Sequence, residues 1–201
     1  MELLQYEPDM SAYLAADDVI DHEHTVVRDT AQRLRSTAPD AYSYAEAAFT
    51  YVRDTIPHSA DHGDPRVTWR ASDVLEQRTG ICFAKAHALT ALLRAEGIPA
   101  ALCYQKLDTA HGLIALKLPG ERRWARQDPR GNKPGVDARF RLDREHLAWP
   151  VRPELGEVDY PLLFAEPHPA VLHCLRKAVD RPHLWQLLPT ALEMPEPRRR
   201  A

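Results

Sequence analysis

Thr79-Gly80-Ile81-Cys82-Phe83-Ala84-Lys85-Ala86 opens the most helix-like segment of the chain, which runs to about Glu96. A cysteine in the first turn of a helix faces backbone N–H groups that have no intrahelical acceptor, together with the positive end of the macrodipole. Both favour a thiolate over a thiol. Cys82 is therefore a candidate nucleophile, although a lone cysteine is more often a small buried hydrophobe. Phe83, Ala84, Ala86, Ala88, Leu89, Ala91, Leu92, Leu93 and Ala95 leave little of the helix surface polar, and a helix apolar nearly all round is buried. Gly97 supplies the stop and Pro99 prevents continuation. Gly80, just before the helix, is expected to let the chain turn sharply.

Downstream, residues 100–105 read as a strand and 111–118 as another, the latter with Gly112, Ile114, Leu116 and Leu118 on one face. Pro119-Gly120 is a turn signal, so 122–127 should pair back on 111–118 as an antiparallel hairpin. That pairing brings Asp128, just past the second strand, near His111 at the start of the first. Taken alone, His111 is a partly buried polar residue and Asp128-Pro129-Arg130-Gly131 is a good turn. Together, beside a cysteine that starts a helix, they make a Cys82/His111/Asp128 relay of nucleophile, base and orienting carboxylate.

The succession of that cysteine turn, Gly97-Ile98-Pro99-Ala100, His111-Gly112 and Trp124-Ala125-Arg126-Gln127-Asp128-Pro129-Arg130-Gly131 resembles the core of the transglutaminase-like superfamily over about residues 40 to 140. In chain order it is similar to that family's catalytic Cys, helix, turn into a strand, catalytic His and catalytic Asp. The resemblance implies an α+β fold with a papain-like, transglutaminase-like core, the nucleophile's helix lying on a small antiparallel sheet. It also implies a bacterial-type single-domain cysteine protein that attacks an amide or peptide bond through an acyl thioester, as amidase, peptidase or transglutaminase-like acyltransferase. The partner would be a peptide or protein amide, with an amine as a further acceptor. No cofactor and no metal are required. The oxyanion needs the backbone N–H of Cys82 and a second donor, for which Gln77, Trp69 and Gln105 are the candidates. The family also holds members that have lost the relay, so a non-turnover peptide- or protein-binding module is the alternative. The chain is far shorter than the animal transglutaminases and leaves no room for their accessory β domains, which argues against protein cross-linking.

The remaining sequence sets bounds. A chain of 201 residues fits one domain, and no apolar run approaches the roughly 20 residues of a membrane helix. With 26 basic and 29 acidic residues, neither a membrane nor a nucleic acid partner is implied. The acidic N-terminus lacks the pattern of a signal peptide, and three scattered cysteines form no disulfide framework; both point to the cytoplasm. Helices are expected over 21–35, from a Ser43/Glu46 capping box to Pro57, over 73–77 and over 170–179. His58 to Pro65 reads as a solvated loop, with the cleft rim as second choice, and Arg141 to Glu145 as a solvated face. Residues 194–201 are expected to be disordered.

Overall fold

A computed structural model describes residues 1–198. Its centre is the cysteine helix. Helices α1 (Thr25–Arg35), α2 (Ala41–Thr50) and α3 (Ala71–Gln77) pack around one side of α4 (Cys82–Ala95). On the other side lie strands β2 (Ala100–Lys106) and β3 (Ala110–Leu116). Every residue of α4 from Phe83 to Arg94 is buried, as its nearly continuous apolar surface requires. Two of the polar residues caught inside find carbonyls: His87 Nδ1 lies 2.8 Å from the Trp69 carbonyl, and the Arg94 guanidinium donates to the carbonyls of Ala15, Ala100 and Ala165.

The sheet is antiparallel throughout, in the order β4-β3-β2-β5, with β4 at Ala125–Gln127 and β5 at Val158–Asp159. Its register pairs Gln105 with His111 and Ile114 with Gln127. The expected α+β layering is present. The reversal between β3 and β4 is wider than a tight hairpin, since pairing ends at Leu116↔Ala125. Pro119 has no N–H to donate, and Arg122 and Arg123 are exposed like charges that resist being zipped into a ladder.

The sheet's second face carries its own small core of Ala101, Cys103, Leu113 and Ala115. The N-terminal segment covers it: β1 (Leu4–Gln5) pairs parallel with β6 (Leu162–Leu163), and Tyr13 is fully buried against that face. The Tyr13 hydroxyl donates to the Leu163 carbonyl at 3.0 Å and accepts the Glu7 N–H at 3.1 Å. Helices α5 (Pro169–Lys177) and α6 (Arg181–Leu187) complete the chain. Among the described residues no helix is long and apolar enough to cross a membrane.

Several local expectations need correction. Helix α2 starts at Ala41, capped by Asp40, whose carboxylate accepts the Ser43 N–H at 2.7 Å; Ser43 therefore lies inside the first turn and is not its cap. The same helix continues as a turn of π-helix over Tyr51–Thr55 before Pro57. The sharp turn before α4 is made at Arg78, the left-handed C-cap of α3 with φ 51°, and not at Gly80. Gly80 is needed for space: a Cβ there would meet the Ala84 Cβ at 3.0 Å and the Thr68 hydroxyl at 3.2 Å. The 141–145 run is not wholly solvated, because Glu145 grips the buried Arg126 of β4 with two hydrogen bonds of 2.6 and 2.7 Å. The disorder expected over 194–201 lies partly outside the described residues. Within them, Arg198 donates its backbone N–H to the Tyr6 carbonyl at 2.9 Å and pairs with Glu7 at 2.9 Å.

Candidate active site

Cys82 is the first residue of α4. Its N-cap, Ile81, contributes no side-chain hydrogen bond, so no side-chain cap takes up the free N–H groups of the first turn. Cys82 is also the one partly exposed cysteine, the other two being buried. Burial pushes the Cys103 thiol far above its ordinary range and Cys174 up to about 11, so neither is a competing nucleophile at neutral pH.

Near the start of β3, His111 is 4% exposed. Its Nε2 donates to Asp128 Oδ2 at 2.8 Å, which leaves Nδ1 for the thiol of Cys82, which lines the same cleft. Burial alone would discharge this histidine, but the Asp128 carboxylate and Cys82 outweigh it and push the ring up to about 10. Asp128 is itself sealed, at 1% exposure. Burial opposes its charge, yet His111 and two backbone donors, the N–H groups of Arg130 at 3.1 Å and Ala148 at 3.2 Å, hold it below the usual carboxylate range. The relay residues singled out in the sequence are thus brought to one place, with the carboxylate fixing the imidazole's orientation.

Gly112 is what lets the helix start approach the strand so closely. A Cβ at this position would sit 2.4 Å from Phe83 Cδ1 and 3.2 Å from the Phe83 Cα. No side chain fits between β3 and the residue after the cysteine, so glycine is required there for room.

Cys82 and His111 open into a cleft of about 430 Å³. Its other walls come from the β2–β3 turn (Leu107 to Ala110), from His58 and Arg130, from Trp149, Pro150, Arg152 and Glu157, and from Trp185 and Leu188 at the α6 end. The three oxyanion candidates do not line it. Gln77 is exposed at the end of α3. Trp69 lies flat between the guanidinium groups of Arg70 and Arg176, at 4.3 and 4.5 Å from its ring centre. Gln105 spends its Nε2 on Asp159 at 2.9 Å and the Trp149 carbonyl at 3.3 Å.

Sequence reasoning missed four residues. Trp149 and His111 meet edge to face, centroids 5.1 Å apart, and the Arg130 guanidinium lies over the Trp149 ring at 5.0 Å. Arg130 is clamped by both oxygens of Asp61, a carboxylate also held by Lys133 at 2.7 Å. The 58–65 loop is tied to the cleft wall by that ion pair: its first member His58 is buried and lines the cleft, while residues 61–63 are exposed, as expected of a solvated loop. Lys85, one turn after Cys82, is wholly buried and donates to the carbonyls of Arg53 and Ile56 at the end of the π-helical turn. Burial, then the neighbouring Arg130 charge, lower it to about 7. The one signal available in sequence was a lysine set inside an otherwise apolar helix.

A family model described as the transglutaminase-like superfamily matches residues 28–129, about half of the chain, ending just after Asp128. The chain belongs to the transglutaminase-like superfamily. Among solved structures, it is similar to a protein of Cytophaga hutchinsonii described provisionally as a cysteine protease, at 21% identity and a TM-score of 0.52, over 61% of this chain and 42% of that one. It is also similar to the periplasmic domain of TgpA from Pseudomonas aeruginosa, solved with ethylmercury, at 21% identity and a TM-score of 0.47, over 60% of this chain and 48% of that one. The chain thus spans less than half of either solved chain. No curated protein matches it.

Proposed function

We propose that the chain is a cysteine amidase or peptidase in which Cys82 attacks an amide carbonyl and water resolves the thioester. One observation carries this reading: a buried Asp128–His111 hydrogen bond of 2.8 Å ends on a cysteine that starts a helix and opens into a cleft. His111 already holds, on Nδ1, the proton that Cys82 gives up, and delivers it to the leaving amine. Asp128 keeps Nε2 protonated and offsets the ring's charge. Water then enters, gives a proton to the same ring, and releases the acid.

Transfer to an amine is the second reading, and the paired charges beside the cleft do not favour it. An acidic 61–64 loop could have drawn a cationic acceptor, but Asp61 is neutralised by Arg130 and Lys133, and Asp64 by Arg66 at 2.6 Å. Water, at about 55 M, outcompetes an amine that no charge holds in place. A binding module without turnover would have no use for a relay whose carboxylate is sealed under the cleft floor. Three unpaired thiols suit a reducing compartment, which supports a cytoplasmic enzyme.

The test is to acylate the protein with an activated ester and follow it by intact mass. Acyl adducts on Cys82 that decay to free acid, with little amide formed at millimolar primary amine, are expected. Dominant amide product would make it a transferase; no Cys82 adduct would make it a binder.

A further inference from the structure

Resting on the acyl-transfer reading, one deficit in the site remains: the second oxyanion donor, since Gln77, Trp69 and Gln105 all lie elsewhere. His58 is where the observations converge. Its residue bridges in parallel to Gly80, and the Ser59 N–H donates to the Gly80 carbonyl at 3.1 Å, so the backbone is pinned two residues from Cys82. Its ring lines the cleft together with Cys82 and His111, yet is only 8% exposed. Nδ1 is sealed and without a hydrogen-bond partner, whereas Nε2 is not sealed in this way and has no protein partner among the described residues. The ring therefore turns Nε2 to the cleft and leaves it free for a ligand.

The surroundings decide which nitrogen holds the proton. Burial, the charge of Arg130, and then those of Lys85 and His111 keep the ring neutral, down to about 3, against the opposing pull of Asp61. Asp61 Oδ2 lies 4.0 Å from Nδ1 and is already engaged by Arg130 and Lys133. An N–H at Nδ1 would be buried with no acceptor within hydrogen-bond distance, so the single proton of a neutral imidazole is placed on Nε2, the nitrogen not sealed in this way. Arg130, the other polar group of that wall, has both terminal nitrogens drawn to Asp61, and its Nε is sealed without a partner.

We propose that His58 is a catalytic residue of this site, a neutral imidazole whose Nε2–H joins the backbone N–H of Cys82 as the second donor to the oxyanion. In the step, the sulfur lone pair forms the S–C bond while the carbonyl π pair moves onto oxygen. Collapse of that oxyanion re-forms C=O and breaks the C–N bond, and the leaving amine takes its proton from His111. His58 donates a hydrogen bond throughout and keeps its proton. A neutral donor suits this role, since it is aimed where charge develops and strengthens as the charge grows.

Two reactions of the same sulfur separate this role from any other. Acylation by a p-nitrophenyl ester passes through an oxyanion; alkylation by iodoacetamide does not. His58→Ala should slow Cys82 acylation by about 10²–10³-fold while leaving its alkylation within about twofold, and His58→Gln, whose amide can donate, should recover at least tenfold of the loss. Equal loss in both reactions, or no loss in acylation, overturns the assignment. Acylation that falls alone but is no better in His58→Gln than in His58→Ala overturns it too. If wild-type Cys82 alkylates but never acylates, the enzyme reading itself fails and takes the oxyanion role with it.

Discussion

His111 and Asp128 stand or fall as a pair. The imidazole is charged well above the ordinary histidine range because a sealed carboxylate faces Nε2 and the Cys82 thiol faces the other side. Replacing Asp128 by Asn removes that charge and favours the wrong tautomer, so turnover should fall by about 10²–10⁴-fold, with kcat affected more than KM. Unchanged kcat would mean that the ring is not the proton carrier. His111→Ala should slow alkylation of Cys82 at neutral pH by at least tenfold, read by peptide mass spectrometry. In the native wild type, Cys103 and Cys174 should lag behind Cys82, since burial raises both thiols. A native protein whose first alkylated thiol is either of those would remove Cys82 from its role.

At the scale of elements, the decisive contact is between the start of α4 and β3. Gly112→Ala sets a methyl 2.4 Å from the Phe83 ring, and relief requires the helix to slide or the ring to rotate into a packed core. Thermal or urea unfolding should show a loss of about 1–3 kcal/mol. Activity should fall further than stability does, because Cys82 moves with the helix. Phe83→Leu in the same chain should recover part of the stability. Additive losses in the double variant would show that the two residues do not share this contact. The loop after β4 matters in a comparable way: Ala148, 20 positions beyond Asp128, donates to it, and the next residue, Trp149, meets His111.

Across the whole molecule, buried bases shape the response to pH. His87 is held neutral, down to about 4, by burial, opposed by its bond to the Trp69 carbonyl, and His58 is lowered to about 3. Between about pH 4 and 6.5 the unfolded chain therefore binds more protons than the folded one, and stability falls as pH falls through that window. His87 alone contributes about 3 kcal/mol to the loss. Urea midpoints should drop steadily from pH 6.5 to 4, with a shallower drop in His87→Gln; a flat profile would mean that these rings titrate without having to leave the core. On the alkaline side two slopes oppose. Lys85, lowered to about 7, makes stability rise toward the unfolded lysine's range, while the stabilisation of His111 is lost as pH climbs from 6.5 through about 10. The two offset each other, so stability should change little from pH 7 to 10 in the wild type.

From sequence alone, local periodicity and chain order were sufficient for the buried helix from Cys82, the strands around His111, and the return of the chain that sets Asp128 beside the histidine. Such features depend on neighbours in sequence: apolar spacing, a glycine stop, a proline and glycine at a turn. The helix start of α2 was misread because Asp40 and Ser43 are both good caps, and only the backbone conformation chooses between them. Tertiary structure alone decided the rest. The lining of the cleft by His58, Arg130 and Trp149, the clamp of Asp61 on Arg130 across 69 positions, and the exclusion of Gln77, Trp69 and Gln105 all depend on residues distant in sequence. No periodic pattern records contacts between loops, because a loop's path is set by what it packs against and by where its buried charges find partners.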